Sequence, residues 1–383
     1  MPARQPISDA HRLLIKVGTR VLAGGDAGVD REQITALVGQ IAALRARGRE
    51  VLLVSSGAVG LGRAALGLER PPTRLALRQA CAAVGQSQLM ALYQQAFAER
   101  GITTAQVLLT ESDLDDRSRY LNLRGALLTL LAQGVVPILN ENDVVSTAEL
   151  AFTEGVDRPV FGDNDRLSAL VATKLGADLL VLLTDVAGLF AADPNVAPGA
   201  PLHSRVDPSD YGSATALAAG SNSDLGRGGM NSKVEAALIA ARSGCHVVIG
   251  SGLRPDSLTQ IAAGEDVGTW FPAAGNLSAR DRWLAFATAP RGTLHLDRGA
   301  VNALLERGAS LLAVGVSSVE GSFDRGDVVT LRAPDGSPIG RGIVHCDAEA
   351  ARSWVAGEQP GGIRNHDALV HRDHLVLEAD TQS

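Results

Sequence analysis

Short apolar runs recur through the first two-thirds of the chain, each followed by a stretch with helical periodicity. The runs are Leu13–Val17, Val51–Val54, Ala105–Leu109, Val135–Leu139, Leu179–Leu183 and His246–Ile249. The helical stretches are Asp30–Arg47, Thr73–Glu99, Arg117–Gln133, Arg166–Leu175 and Ser232–Arg242. Strand–helix–strand repetition implies an α/β fold: a mostly parallel sheet, covered by helices on both faces, with right-handed crossovers. The punctuation agrees. Asp30 with Gln33 has the form of a capping box, and Gly48, Gly101 and Gly134 stand where helix-terminating glycines belong.

The texture changes after Trp270. Pro272–Asn276 reads as a linker, and Gly292–Leu377 is a series of short strands and glycine turns with one helix expected near Ala300–Glu306. The expected division is a domain over 1–271, a linker over 272–290 and a small β-rich domain over 291–383. The 383 residues suit two or three domains, and 45% hydrophobic residues are enough for a substantial core.

Composition removes several classes of function. The net charge of −7 argues against binding polyanions through bulk charge. Three scattered cysteines without a C-x-x-C give neither a disulfide frame nor a zinc site. His371 and His374 lack a metal-binding context and read as ordinary. The polar segment Met1–His11 holds no apolar signal, and no apolar run approaches the length of a membrane span, so a cytoplasmic protein is expected.

The 35 basic residues include only three lysines, Lys16, Lys174 and Lys233. Lysine is a compact charge on a flexible stem, whereas arginine is a broad planar fork. Each lysine therefore marks a candidate place where arginine does not fit. Lys174, near the end of a helical stretch, reads as a solvated structural residue. The other two fall on glycine-bearing loops.

Four polar segments follow strands: Lys16-Val17-Gly18-Thr19, Ser55-Ser56-Gly57-Ala58, Asn140-Glu141-Asn142-Asp143 and Thr184-Asp185. In a parallel sheet all four lie at the carboxyl edge, where ligands bind. Gly162-Asp163-Asn164-Asp165 and Gly226–Lys233 each open a helix, where exposed N–H groups suit phosphate. A cation in the first turn, as at Lys233, is disfavoured by the helix dipole unless an anion is bound there. No G-x-x-x-x-G-K-[ST] is present. Gly60-Leu61-Gly62-Arg63-Ala64-Ala65 matches G-x-G-x-x-A but starts past its strand and lacks the acidic partner, so it reads as a loop packing on a helix. Two lysines on separate loops with nearby carboxylates suit phosphoryl transfer, which needs positioned positive charge more than covalent help. The absence of a histidine partner argues against a serine hydrolase.

In this order these motifs, with Thr184-Asp185-Val186-Ala187-Gly188-Leu189 and Gly228-Gly229-Met230, resemble the amino acid kinase family from about Leu13 onward. Asp297-Arg298-Gly299-Ala300, Gly308–Leu312 and Gly321–Gly326 resemble a PUA domain. The pairing resembles the branch of the family that phosphorylates the γ-carboxylate of L-glutamate to open proline synthesis.

The resemblance implies ATP and Mg²⁺ as cofactors, with Lys16, Lys233 and Asp165 catalytic. It implies ATP contacts from Lys16, Gly18, Thr19, Thr184, Asp185, Gly228, Gly229, Met230, Asn231, Ser232 and Lys233. Glutamate contacts fall to Ser56, Gly57, Asp143 and Asn164, with Asp163 helping to hold the substrate loop. The metal ligands stay unassigned. Feedback inhibition by proline, a homo-oligomer such as a tetramer, and coupling to glutamyl phosphate reductase are further implications. Arg227 stands where the family usually has threonine, Asn231-Ser232 replaces a small hydroxyl pair, and Phe152–Pro159 lengthens the substrate loop. The rival readings are an aspartokinase-like carboxylate kinase and an RNA-binding protein acting through the PUA domain. The net charge over Arg291–Glu378, 9 − 12 = −3, weighs against the latter.

Overall fold

The computed structural model describes residues 4–24, 28–145, 164–192, 196–197, 199–219, 229–274, 290–356 and 368–377. The chain forms two compact units, one of residues 1–241 with 245–273, the other of 242–244 with 274–383.

The first unit is built on seven strands: β1 (Arg12–Val17), β2 (Glu50–Ser55), β3 (Thr104–Leu109), β4 (Val136–Glu141), β5 (Leu179–Thr184), β6 (His246–Ser251) and β7 (Thr269–Phe271). Their order is β3-β4-β2-β1-β5-β6-β7. Every pairing is parallel except β6 with β7. The helices are α1 (Gln5–Ser8), α2 (Thr19–Leu22), α3 (Arg31–Ala46), α4 (Ala58–Ala65), α5 (Leu75–Ala98), α6 (Glu111–Asp115), α7 (Arg117–Ala132), α8 (Asn164–Leu175), α9 (Tyr211–Ala219), α10 (Met230–Arg242) and α11 (Ser257–Ala262).

Side chains alternate between the two faces of a strand. Leu13, Ile15 and Val17 of β1 join a core with Val38 and Ile41 of α3 and Phe97 of α5. Leu14 joins the opposite core, with Leu170 and Val171 of α8 and Val234 of α10. Both faces are covered, so the strands read as continuous apolar runs. Lys16 has the same parity as Leu14, and its neighbours in register are Val54 and Leu182. Parity therefore sends this lysine toward α8.

Several expectations meet local differences. Asp30 does cap α3, its carboxylate accepting from the N–H groups of Glu32 (2.8 Å) and Gln33 (3.3 Å). Its own N–H, however, donates to Leu22 O, so Gln33 does not close a reciprocal box. The G-x-G-x-x-A segment is helix α4 and not a loop. It packs on α5 with backbone contact: a Cβ at Gly62 would lie 1.8 Å from Cys81 O, and one at Gly85 1.8 Å from Ala58 O. The N-terminal polar segment is anchored, because the buried Arg4 guanidinium donates to the carbonyls of Ser204, Val267 and Gly268 and pairs with Asp266.

Lys174 is the clearest correction. It is 5% exposed, not solvated. Its ammonium donates to Leu114 O at the end of α6 and lies 4.8 Å from the centre of the Tyr120 ring. The Tyr120 hydroxyl in turn donates to Lys174 O at 3.0 Å. Position near a helix end was all the sequence revealed; the α6–α7 corner that covers it is a tertiary feature. Burial pushes the Lys174 pKa down to about 8, against an opposing pull from Asp115.

The second unit has β8 (Gly292–Leu296), β9 (Leu311–Leu312), β10 (Val316–Gly321), β11 (Val328–Arg332), β12 (Pro338–Val344) and β13 (Ala368–Leu377), in the order β10-β8-β11-β12-β13-β9. Only β8 with β11 is parallel. The expected helix is α12 (Arg298–Arg307), and a second, α13 (Ala348–Val355), accompanies it. Asp347 caps α13 by accepting from Ala350 N–H at 2.8 Å. Leu294, Leu331, Val344 and Trp354 lie in the core of this unit. No helix among the described residues is long and apolar enough to cross a membrane. Cys81, Cys245 and Cys346 are buried and unbridged.

Candidate active site

The carboxyl ends of β1, β2, β4 and β5 and the first turns of α8 and α10 form one edge. At the end of β1 the chain leaves the sheet while still tied to its neighbours. Gly18 N–H donates to Leu183 O at 3.2 Å, and Ser56 N–H donates to Val17 O at 3.3 Å. Gly57 starts α4 at φ +113°, a conformation open to glycine.

Asp165 is the centre of this edge. It lies in the first turn of α8 with no exposed surface. Lys16 Nζ is 2.5 Å from one carboxylate oxygen, and Lys233 Nζ is 3.0 Å from the other. Ser232 Oγ donates to that second oxygen, also at 3.0 Å. Burial alone would raise the Asp165 pKa. The charges and hydrogen bonds of the two lysines outweigh it and hold the carboxyl below its usual range. The three side chains together carry 2 − 1 = +1, with Lys233 at the positive end of the α10 dipole. A buried net cation favours an anionic ligand.

Beside this triad lies a chain of amides. Asn164 Nδ2 donates to Ser56 Oγ and Asn140 Oδ1, both at 2.9 Å, and approaches Ser55 O at 3.4 Å. Asn140 Nδ2 donates to Gln86 Oε1 at 2.8 Å. The buried Tyr93 hydroxyl and Ser55 Oγ are 2.8 Å apart. Gln86 and Tyr93 cannot be picked out from sequence because both sit mid-helix in α5, where nothing distinguishes a site-facing polar residue from a surface one. Asn140 belongs to one of the strand-end motifs, but nothing in that motif singles it out.

On the far side, Thr184 Oγ1 donates to Asp185 Oδ1 at 2.9 Å, and Arg20 Nη1 lies 3.1 Å from Asp185 Oδ2. Partial burial would raise the Asp185 pKa, but the bonds from Thr184 and Arg20 keep it low. Thr19 opens α2, with Gly18 as its N-cap. Gly229 precedes α10, its carbonyl accepting from Lys233 N–H at 3.4 Å, and Met230 is the first residue of that helix. Asn231 is exposed and donates to Glu235 of its own helix, so it does not join the triad. Asp143 lies in the turn after β4, which Val145 N–H closes on Asn142 O at 3.1 Å. Asp163, Arg227, Gly228 and the Phe152–Pro159 loop lie outside the described residues.

A parallel sheet whose carboxyl edge carries two lysines on one carboxylate defines a class of phosphotransferase without a P-loop. Residues 11–251 match the amino acid kinase family, and the chain belongs to that family. Residues 292–358 match the PUA domain. Among similar curated proteins is the glutamate 5-kinase of Chromohalobacter salexigens, 47% identical over 98% of each chain. Another is the glutamate 5-kinase of Marinomonas sp. (strain MWYL1), 44% identical over 98% of this chain and all of its own. A third, the glutamate 5-kinase of Thioalkalivibrio sulfidiphilus, is 46% identical over 98% of this chain and 99% of its own.

Proposed function

We infer that this chain transfers the γ-phosphoryl group of ATP to the γ-carboxylate of L-glutamate, giving L-glutamyl 5-phosphate, the first step of proline biosynthesis. The observation that carries the reading is the Lys16–Asp165–Lys233 arrangement, joined to full-length similarity to glutamate 5-kinases.

The chemistry needs no general base. A glutamate side chain ordinarily titrates at about pH 4.3 and is ionised at neutral pH. Its oxygen attacks the γ-phosphorus, the bond to the β-phosphate oxygen breaks, and ADP leaves. Negative charge moves toward the leaving group during this exchange. Lys16 reaches it from the end of strand β1 and Lys233 from the first turn of α10, not from loops as their glycine-bearing motifs suggested, and Asp165 holds both ammoniums at a fixed spacing. In the same proposal Gly18, Thr19, Thr184, Asp185 and residues 228–233 hold ATP. Ser56, Gly57, Asp143 and Asn164 hold glutamate, with Asp143 facing its α-ammonium.

Magnesium belongs to this reading as the partner of the nucleotide. Asp165 is engaged by two lysines and Ser232, which leaves it a poor metal ligand. Among the described residues no three His, Cys, Asp or Glu side chains form a metal cage. Asp185, kept ionised by Thr184 and Arg20 and only partly buried, is the protein carboxylate at that edge that would hold the ion beside the nucleotide. When bound, the ion neutralises part of the triphosphate charge.

The same proposal includes a kinase domain over 1–271, a linker over 272–290 and a PUA domain over 291–383. It also includes a cytoplasmic location, a homo-oligomer, inhibition by proline and hand-over of the labile acyl phosphate to glutamyl phosphate reductase. A hydroxamate trap for acyl phosphate, run with glutamate, aspartate and N-acetylglutamate in parallel, tests the activity. Hydroxamate from glutamate alone is expected, and its absence would overturn the reading.

A further inference from the structure

We propose that Gln86, in the middle of α5, is a positioning residue that makes the substrate site selective for a free α-ammonium group. This rests on the reading of the chain as a glutamate kinase.

Donors and acceptors can be followed through three amides. Glu141 N–H can only donate, and it donates to Asn140 Oδ1 at 2.9 Å. That fixes the Asn140 amide: its oxygen faces Glu141 N–H and its Nδ2 must face Gln86. Gln86 receives it with Oε1 at 2.8 Å. Asn140 Oδ1 also accepts from Asn164 Nδ2 at 2.9 Å, and the same Nδ2 serves Ser56 Oγ. The donors of Asn164 are thereby committed. Its Oδ1 is buried and takes no hydrogen bond from any described residue.

A buried acceptor of this kind calls for a donor. Asn164 adjoins Asp165 at the start of α8, so the donor belongs to the molecule bound beside the triad. A primary ammonium supplies three N–H groups and suits it. A carboxylate, which only accepts, does not. Glu141 N–H sets the polarity of this recognition, and Gln86 braces it: its oxygen holds the Nδ2 of Asn140, which in turn holds Asn164. Without an acceptor at position 86, the Asn140 Nδ2 is left as an unsatisfied donor, and the amide shifts to find a partner at the expense of its hold on Asn164.

The test compares glutamate with glutarate, which keeps the γ-carboxylate and lacks the ammonium. Wild type, Gln86→Met (similar shape, no acceptor) and Gln86→Glu (acceptor retained) are assayed by the hydroxamate trap, with thermal midpoints measured alongside. In Gln86→Met the KM for glutamate is expected to rise about tenfold, on the scale of one unsatisfied buried amide. The KM for ATP and kcat/KM for glutarate should stay near wild type. Gln86→Glu should keep most of the preference for glutamate.

Equal losses on glutamate and glutarate, or a glutamate KM unchanged in Gln86→Met, would overturn the proposal, as would a Gln86→Glu variant as impaired as Gln86→Met. If Gln86→Met does not fold, Gln86→Lys takes its place: a donor at this position should produce the same selective loss, and an unchanged KM overturns the idea. A wild type inactive on glutamate overturns the kinase reading and this inference with it. An active wild type with indifferent variants overturns the inference alone.

Discussion

Lys16 reaches Asp165 at 2.5 Å because a strand and a helix far apart in sequence share one face of the sheet. The lysine is apolar-flanked and buried, with its ammonium against that carboxylate and at the edge where an anion would bind. Arginine at 16 or 233 would keep the charge but not the shape. Lys16→Arg and Lys233→Arg are each expected to lower kcat at least a hundredfold, about 3 kcal/mol of transition-state stabilisation. Circular dichroism should show an intact fold. Near-normal turnover in either variant would mean that the two lysines serve only structure.

Replacing the carboxylate tests the other half of the relationship. Asp165→Asn leaves two buried ammoniums facing each other, and breaking a buried ion pair costs about 3–5 kcal/mol. Both kcat and the denaturation midpoint should fall, and inorganic phosphate should recover part of the midpoint.

The same carboxylate sets an acid limb. Its pKa is lower in the folded protein than in the unfolded chain, so the unfolded chain binds the extra proton first. The stabilisation is present above the unfolded value, about 3.9, and is lost as the pH falls through the folded one. Urea titrations should show this loss below about pH 4, and Asp165→Asn should lack that contribution.

Lys174 predicts the opposite limb. Its folded pKa, about 8, lies below the unfolded value of 10.5. Between these values the unfolded chain binds more protons, so folding becomes more favourable as the pH rises from about 8 to about 10. The gain expected from this residue is about 2–3 kcal/mol at roughly 1.4 kcal/mol per pH unit. Lys174→Met should flatten the rise seen by urea titration across that window. An identical slope in the variant would mean that the buried lysine does not titrate there.

The contact of α4 with α5 allows a packing test. A methyl group at Gly85 would sit 1.8 Å from Ala58 O and 2.5 Å from Gly62 N, both backbone atoms. Gly85→Ala should destabilise the fold by about 3 kcal/mol or more through overpacking. Because α4 follows Ser56 and Gly57 directly, the KM for glutamate should rise as well. A midpoint within experimental error of wild type would contradict this account.

Much of the architecture was legible because its signals are local. The apolar runs fell on β1 to β6 within two residues at each end; β1, β2, β4 and β5, buried on both faces, show themselves as near-continuous Val, Leu and Ile, whereas the edge strand β3 is only partly buried. Gly48, Gly101 and Gly134 do adopt positive φ at helix ends. Short elements without a run of their own, such as β7, α11 and α13, gave no comparable signal. In the site, Lys16, Asp165 and Lys233 stood out through motif and rarity, and the structure brings them together. Gln86, Tyr93 and the burial of Lys174 were not legible, because each depends on which helix packs across from it. The third lysine is as buried as the other two. The scarcity of lysine thus marks buried cations generally, and the phosphate-facing pair is a subset.

The alternation of β1 has a consequence for how such a chain can change over time. Ile15 and Val17 belong to one side of the sheet, Leu14 and Lys16 to the other. Inserting or deleting a single residue within the strand would deliver the ammonium to the wrong side of the molecule, among the side chains of α3 and α5, while leaving composition and hydropathy almost untouched. Length changes inside this strand are therefore tolerable only in pairs. In the loops beyond the sheet edge, the same arithmetic imposes no such rule.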